Sequence, residues 1–299
     1  MSARNWGLLL LLSLLWGSSF FFYKVLVAVL PPVTVVLGRV GLAAIAMNLW
    51  LLAQGQKMPF SRALWLRFLL LGFLNTVVPF ILIAWGETRI SSGMASILNA
   101  TTPIFMVVVA HWGTEDEKLS LGKIAGIAFG ILGVMVLVGP TAIGGTNAIW
   151  GEVAVIGASC AYGFGGVYSR RFTDLPALQA ATGQITGGAI LLLPLSLLVD
   201  RPWTLPMPSL PMWASLLAIA LINTALAYFV YFKMLATTGV TYISLVTFLI
   251  PVIALLLGAW FLEESITVPA VAGMIIIALG LATSDGRLLK LLSIPRRLK

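Results

Sequence analysis

The chain has 299 residues, of which 60% are hydrophobic and only 9% charged, with a formal net charge of +8. Apolar runs of about 20 residues, the length that crosses a hydrocarbon core about 30 Å thick, follow one another from end to end and leave no stretch for a water-soluble domain. The single Cys160 excludes an internal disulfide, no CxxC pair or His/Cys cluster offers a metal site, and the excess Lys and Arg lie in short connections, which argues against a nucleic-acid surface.

In chain order the apolar runs predict an all-α integral membrane protein of ten transmembrane helices, at about 5–29, 33–53, 63–85, 91–112, 121–138, 150–169, 177–198, 211–232, 241–261 and 268–286. Pro31-Pro32, Gly144-Gly145 and the group Pro206, Pro208 and Pro211 mark breaks between them. The first run is longer than the h-region of a secretory signal and no A-x-A-like site follows it, so it is expected to stay as a working helix. With the N-terminus inside, fourteen Lys and Arg between Arg4 and Lys299 fall on the cytoplasmic side, against only Arg89 and Arg201 outside. Both termini are therefore expected in the cytoplasm.

The chain also repeats itself. Trp65, Asn75, Thr76, Ser96, Pro103, Trp112 and Glu115 recur 148 residues later as Trp213, Asn223, Thr224, Ser244, Pro251, Trp260 and Glu263. Several of these are scarce residue types, so the shared offset indicates an internal duplication, with residues 1–145 as the first five-helix repeat and 146–299 as the second. An odd number of spans per copy sends the second copy in from the opposite side, so the two repeats are inverted. Secondary transporters use that architecture to open one midplane site alternately to either side.

Enzyme chemistry finds little support. The only histidine is His111, so no paired-histidine metal site can form, and no cofactor is implied. The acidic residues fall in predicted loops or near span ends, Glu87 and Glu152 among them, so no carboxylate pair is expected at the membrane centre. For the same reason transport is expected to need no proton gradient, since proton carriers usually place an ionisable residue inside a span. Lys24 is expected to snorkel from the outer end of the first span, and Arg39 lies about 9 Å into the second.

The polar residues inside the spans form a pattern. Asn75 and Pro79, Asn99 and Pro103, and Thr247 and Pro251 are each spaced i, i+4. A helical proline frees the carbonyl four residues earlier, so each pair is expected to kink its helix, gate the pathway and offer both a polar side chain and an open backbone acceptor. Ser96 and Ser244 extend two of these polar faces at i, i+3. Trp16, Phe20 and Tyr23 share one face of the first span, Tyr162 is the counterpart of Trp16, and such aromatic faces can hold a cation or stack on a ring. Trp16, Asn75, Ser96, Asn99, Tyr162, Asn223, Ser244 and Thr247 are thus the predicted substrate-binding residues, with Pro79, Pro103 and Pro251 as kinks.

These features resemble the EamA branch of the drug/metabolite transporter superfamily. Its first-helix pattern stands here as Leu14 to Leu26, followed by Pro31 to Arg39, and its repeat-ending pattern as Pro103 to Glu115 with Gly126 and Gly133, then again as Pro251 to Glu263 with Gly273 and Gly280. The sequence is most similar to YddG-type amino acid exporters. That resemblance implies ten spans in two inverted repeats and efflux of aromatic and other neutral amino acids across a bacterial inner membrane, with the lipid bilayer as the protein's other partner and a monomer as the working unit. Tyr162-Gly163 replaces the "WG" signature in the second half, and Gln184 stands where the first half has Arg39.

Overall fold

The computed structural model describes residues 3–113, 121–138, 146–172, 174–238 and 246–284, and all regular structure among them is helical. The first half contains α1 (Ala3–Val27), α2 (Pro32–Ala53), α3 (Arg62–Gly72), α4 (Val78–Glu87), α5 (Ser92–Asn99), α6 (Thr102–Gly113) and α7 (Leu121–Val138). The second contains α8 (Thr146–Ser169), α9 (Ala177–Val199), α10 (Leu210–Leu217), α11 (Ala227–Thr238), α12 (Val246–Phe261) and α13 (Val268–Ser284). Among the described residues, seven helical stretches are long and apolar enough to cross a membrane: Asn5–Val27, Pro32–Ala53, Arg62–Glu87, Ser92–Gly113, Asn147–Phe172, Ala177–Val199 and Leu210–Tyr231. Three further apolar helices, Ile124–Val136, Leu249–Phe261 and Val268–Gly280, are shorter.

Two of these long stretches contain a π-helical segment. The chain joins α3 to α4 through a π-helical segment, Phe73–Val77, and α10 to α11 through another, Ala218–Leu226. Each contains one copy of the duplicated Asn-Thr pair, Asn75-Thr76 or Asn223-Thr224. Pro79 follows the first, but Ala227 stands at the matching place in the second, so proline is not the common cause. Thr224 supplies a local one: its hydroxyl donates to the Ile219 carbonyl five residues back, at 2.8 Å, which satisfies an acceptor in the widened turn. Pro79 therefore sits just past a widened turn rather than at a simple kink.

Pro103 also departs from expectation. The rod breaks at Ala100 and Thr101, and Pro103 stands in the first turn of α6, where its missing N–H costs no helical bond. The carbonyl predicted to be open is occupied, because the Thr102 hydroxyl donates to Asn99 O at 2.8 Å. Beside it the Thr101 hydroxyl donates to Leu98 O at 2.6 Å. Of these three prolines, only Pro251 lies inside a continuous α-helix, α12.

The closest helix packing runs between the halves, in exchanged pairs. α1 lies on α12, and its counterpart α8 lies on α6; α2 pairs with α9, and α7 with α13. Small residues permit this, because lipid offers no hydrophobic drive between helices and association depends on close contact. A β-carbon at Gly133 would stand 3.0 Å from Gly273 O, and one at Gly280 would stand 2.8 Å from Gly126 O. The glycines that close each repeat in sequence thus face each other.

Carboxylates finish helix starts across the same divide. Asp200 accepts from the Thr34 backbone N–H at 2.7 Å and from its hydroxyl at 2.9 Å, capping α2. Glu264 accepts from the Ser92 N–H at 2.8 Å, the Ser92 hydroxyl at 2.7 Å and the Gly93 N–H at 3.3 Å, capping α5. Glu263, the acid that the repeat singles out, has φ of 56°, and this left-handed turn precedes the residue that caps. Lys24 does not snorkel. Its ammonium donates to Glu87 O and Ile90 O, each at 2.7 Å, and closes the C-terminal end of α4.

Candidate functional site

Polar and aromatic side chains from both halves converge on Arg39 of α2, which is only 3% exposed. Its Nε donates to the Thr224 hydroxyl at 2.8 Å, inside the second π-helical segment. Its guanidinium carbon lies 4.0 Å from the centre of the Phe80 ring and 4.9 Å from that of Tyr23. Arg39 forms no ion pair among the described residues. An unpaired charge so far from water costs several kcal/mol, and the two aromatic faces return only about 2 kcal/mol of that each at best.

The arrangement repeats on the other side with one change. Gln184 of α9 donates through Nε2 to the Thr76 hydroxyl at 3.3 Å, inside the first π-helical segment, and to the Tyr228 hydroxyl at 3.2 Å. Each half therefore reaches from its second span into the widened turn of the other, one with a guanidinium and one with a neutral amide. The aromatic walls are exchanged in the same way. Trp16 meets Tyr228 edge-on with ring centres 6.1 Å apart, and Tyr162 meets Phe80 edge-on at 6.5 Å. Tyr231 adds a second ring, 5.5 Å from Trp16. Trp16 and Tyr162 occupy matching places, and both border the Arg39 cluster through their partner rings.

The other predicted residues divide. Asn223 is buried beside Thr224, and its amide donates to the Leu15 carbonyl and, at 2.7 Å, to the Ser18 hydroxyl, tying the second widened turn to α1. Asn75 lies over Gly165 of α8, where a β-carbon would occupy the space of its side-chain amide. Thr247 and Pro251 line a small pocket with Ile97, Met274, Ile277 and Ala100, the last of these next in sequence to Asn99. The Asn99 side-chain oxygen is buried without a partner among the described residues. Ser96 is fully buried and donates to Gly93 O at 2.7 Å within its own helix. Ser244 lies outside the described residues. The structure thus brings Trp16, Tyr162 and Asn223 toward Arg39, and sets Thr247 and Ala100 in one pocket at the break between α5 and α6, a pocket that Asn99 does not line.

Sequence reasoning passed over Phe80, Tyr228 and Tyr231, and matched Gln184 to Arg39 without making it a site residue. Extending the 148-residue offset by a few positions pairs Phe80 with Tyr228, two aromatics directly past the duplicated Asn-Thr.

The profile of the EamA-like transporter family matches the chain twice, over residues 5–139 and 149–284. The chain is similar to the uncharacterised transporter YoaV of Bacillus subtilis, with 25% identity over 90% of this chain and 92% of that one. It is also similar to the uncharacterised inner membrane transporter YedA of Escherichia coli, with 27% identity over 87% of this chain and 84% of that one. Protein PecM of Dickeya dadantii is 26% identical over 88% and 86%. A solved crystal structure at 17% identity superposes with a TM-score of 0.70 over 98% of this chain and 100% of the other, which shows a shared fold.

Proposed function

This chain belongs to the EamA-like transporter family, and from that premise we propose that it exports amino acids, aromatic and other neutral ones, across a bacterial inner membrane by alternating access. The observation that carries the reading is Arg39, a buried cation with no acidic partner among the described residues, walled by rings and set between two widened helical turns. A substrate carboxylate would give the guanidinium its missing anion through charge-assisted bonds, and an aromatic side chain or ammonium would meet Trp16, Tyr162, Tyr228 and Tyr231. Asn75, Asn223, Ser96, Ser244, Asn99 and Thr247 complete the pathway in this reading, with Pro79, Pro103 and Pro251 marking where its helices yield. Ten spans in two inverted repeats, residues 1–145 and 146–299, would put Arg39 about 9 Å into its span where the repeats meet, and a single chain holds the whole site.

Counterflow in proteoliposomes with labelled L-phenylalanine tests the function. Uptake is expected to be saturable, stimulated by unlabelled substrate on the far side, and inhibited by aromatic and aliphatic amino acids. The predominance of rings over hydrogen-bonding groups around Arg39 favours one second reading, a multidrug or small-metabolite exporter. Competition by aromatic drugs with failure of every amino acid to compete would establish that reading instead.

The orientation is tested by single-cysteine labelling in a Cys160→Ala background. Positions near 57, 118 and 171 are expected to label only from the cytoplasm and those near 89, 145 and 201 only from the periplasm, as the distribution of Lys and Arg requires. One loop labelling from the wrong side would change the number of spans.

A further inference from the structure

Glu87, the last residue of α4, is fully buried, and neither carboxyl oxygen has a hydrogen-bond partner among the described residues. The neighbouring cation does not supply one, because the Lys24 ammonium is spent on the backbone carbonyls of Glu87 and Ile90, each at 2.7 Å. α8 seals the same end: a β-carbon on Gly86 would stand 2.8 Å from Val155 and 2.9 Å from Gly151 O. The charges acting on Glu87 are Lys24 from α1, Arg39 from α2 and Glu264 from the segment before α13, and Tyr23 of α1 also feels it. Glu264 is held by Ser92 and Gly93. On the remaining neighbours, α8 carries Glu152, itself buried, α5 carries no ionisable group, and Arg89 on the same connection stacks on Trp85 at 3.6 Å, exposed. With no donor and no ion pair among the described residues, an ionised carboxylate would bear a desolvation cost that the charges of Lys24 and Arg39 offset only in part, whereas the neutral acid fits this site.

We propose that Glu87 is a proton-binding site whose loading closes the outer end of the bundle and couples export to proton entry. With the outer end open, water reaches Glu87 and the carboxylate takes a proton from the external side. The neutral acid can then be buried, as the Glu264 cap and the Gly86–Gly151 contact close over it. With the inner end open, the O–H bond breaks, the proton leaves to water in the inward-facing pathway, and Lys24 turns from the two carbonyls to pair with the carboxylate. The direction of coupling rests on the transport reading and orientation above.

The test uses the full chain in liposomes. Infrared spectra at neutral pH are expected to show the C=O stretch of a protonated carboxyl group that Glu87→Gln removes; Glu87→Leu serves if the glutamine variant does not fold. With the membrane potential clamped and the lumen one pH unit more acid, one-for-one exchange holds about a tenfold gradient of L-phenylalanine. The wild type is expected to reach that gradient. The variant is expected only to equilibrate, while keeping its counterflow at equal pH. Identical carboxyl bands in wild type and variant, equilibration without accumulation by the wild type, or undiminished accumulation by the variant would each overturn the proposal. If the wild type carries no L-phenylalanine at all, the amino acid reading fails and the infrared comparison alone decides the role of Glu87.

Discussion

Replacing Arg39 by glutamine is expected to lower L-phenylalanine counterflow about a hundredfold without loss of folded protein. A guanidinium that grips a carboxylate contributes bonds of about 1.5 to 3 kcal/mol each, and losing about 3 kcal/mol corresponds to roughly a hundredfold change. Stability should move the other way or not at all. Wild-type Arg39 bears the cost of a charge with no ion pair among the described residues, and a glutamine there can still donate to Thr224. The second half already shows that this environment accepts an amide, since Gln184 makes the corresponding contact to Thr76. Arg39→Lys keeps the charge but loses the planar fork, and its transport should fall between the two. Normal transport by the glutamine variant, measured per folded molecule, would put the substrate carboxylate somewhere else.

Gly72→Leu is expected to leave no folded protein, and Gly72→Ala to cost about 1 to 3 kcal/mol, the usual range for overpacking. Gly72 ends α3, where that helix crosses α9, and a β-carbon there would stand 2.5 Å from Gly188 N, 2.8 Å from Gln184 O and 2.9 Å from Gly187 C. All three atoms belong to a helical backbone, so no rotamer change relieves the clash. Gly41→Ala is the control, because its β-carbon would meet only a Leu37 methyl at 3.9 Å. Thermal unfolding in detergent should separate the two alanine variants, and equal midpoints would show that α3 and α9 can move apart freely.

The sequence carried the helical class and the duplication well, because both rest on signals repeated along the whole chain: long apolar runs and scarce residues at one offset. The site was less readable. Asn99 and Ser96 looked like an open polar face, but a helix can turn such groups onto its own backbone, and Thr102 and Ser96 donate to Asn99 O and Gly93 O respectively. The widened turns left no proline signature, since the second copy forms one without proline. Glu87 misled for another reason. Position along a span gives depth from the span's end but not lateral burial, so a residue at the last turn of α4 looked hydrated while α8 and Lys24 cover it. Arg39 was visible as a charge inside a span, but its value as a site depended on rings from α1, α4 and α11 that no local spacing connects.

The exchanged caps have a consequence for how the protein is made. Thr34 of the first half begins its helix on Asp200 of the second, Ser92 on Glu264, and Asn223 of the second half anchors on Leu15 and Ser18 of the first. Until synthesis passes Asp200 the start of α2 lacks its carboxylate, and until it passes Glu264 the start of α5 has only the Ser91 hydroxyl, while the glycine-lined face of α7 stays unfilled. The early helices must therefore wait in the bilayer as a loose set, and assembly becomes cooperative only when the last two spans arrive. Truncations near the C-terminus should accordingly be as damaging to the first helices as to the missing ones, and a quality-control protease would see the whole chain or nothing.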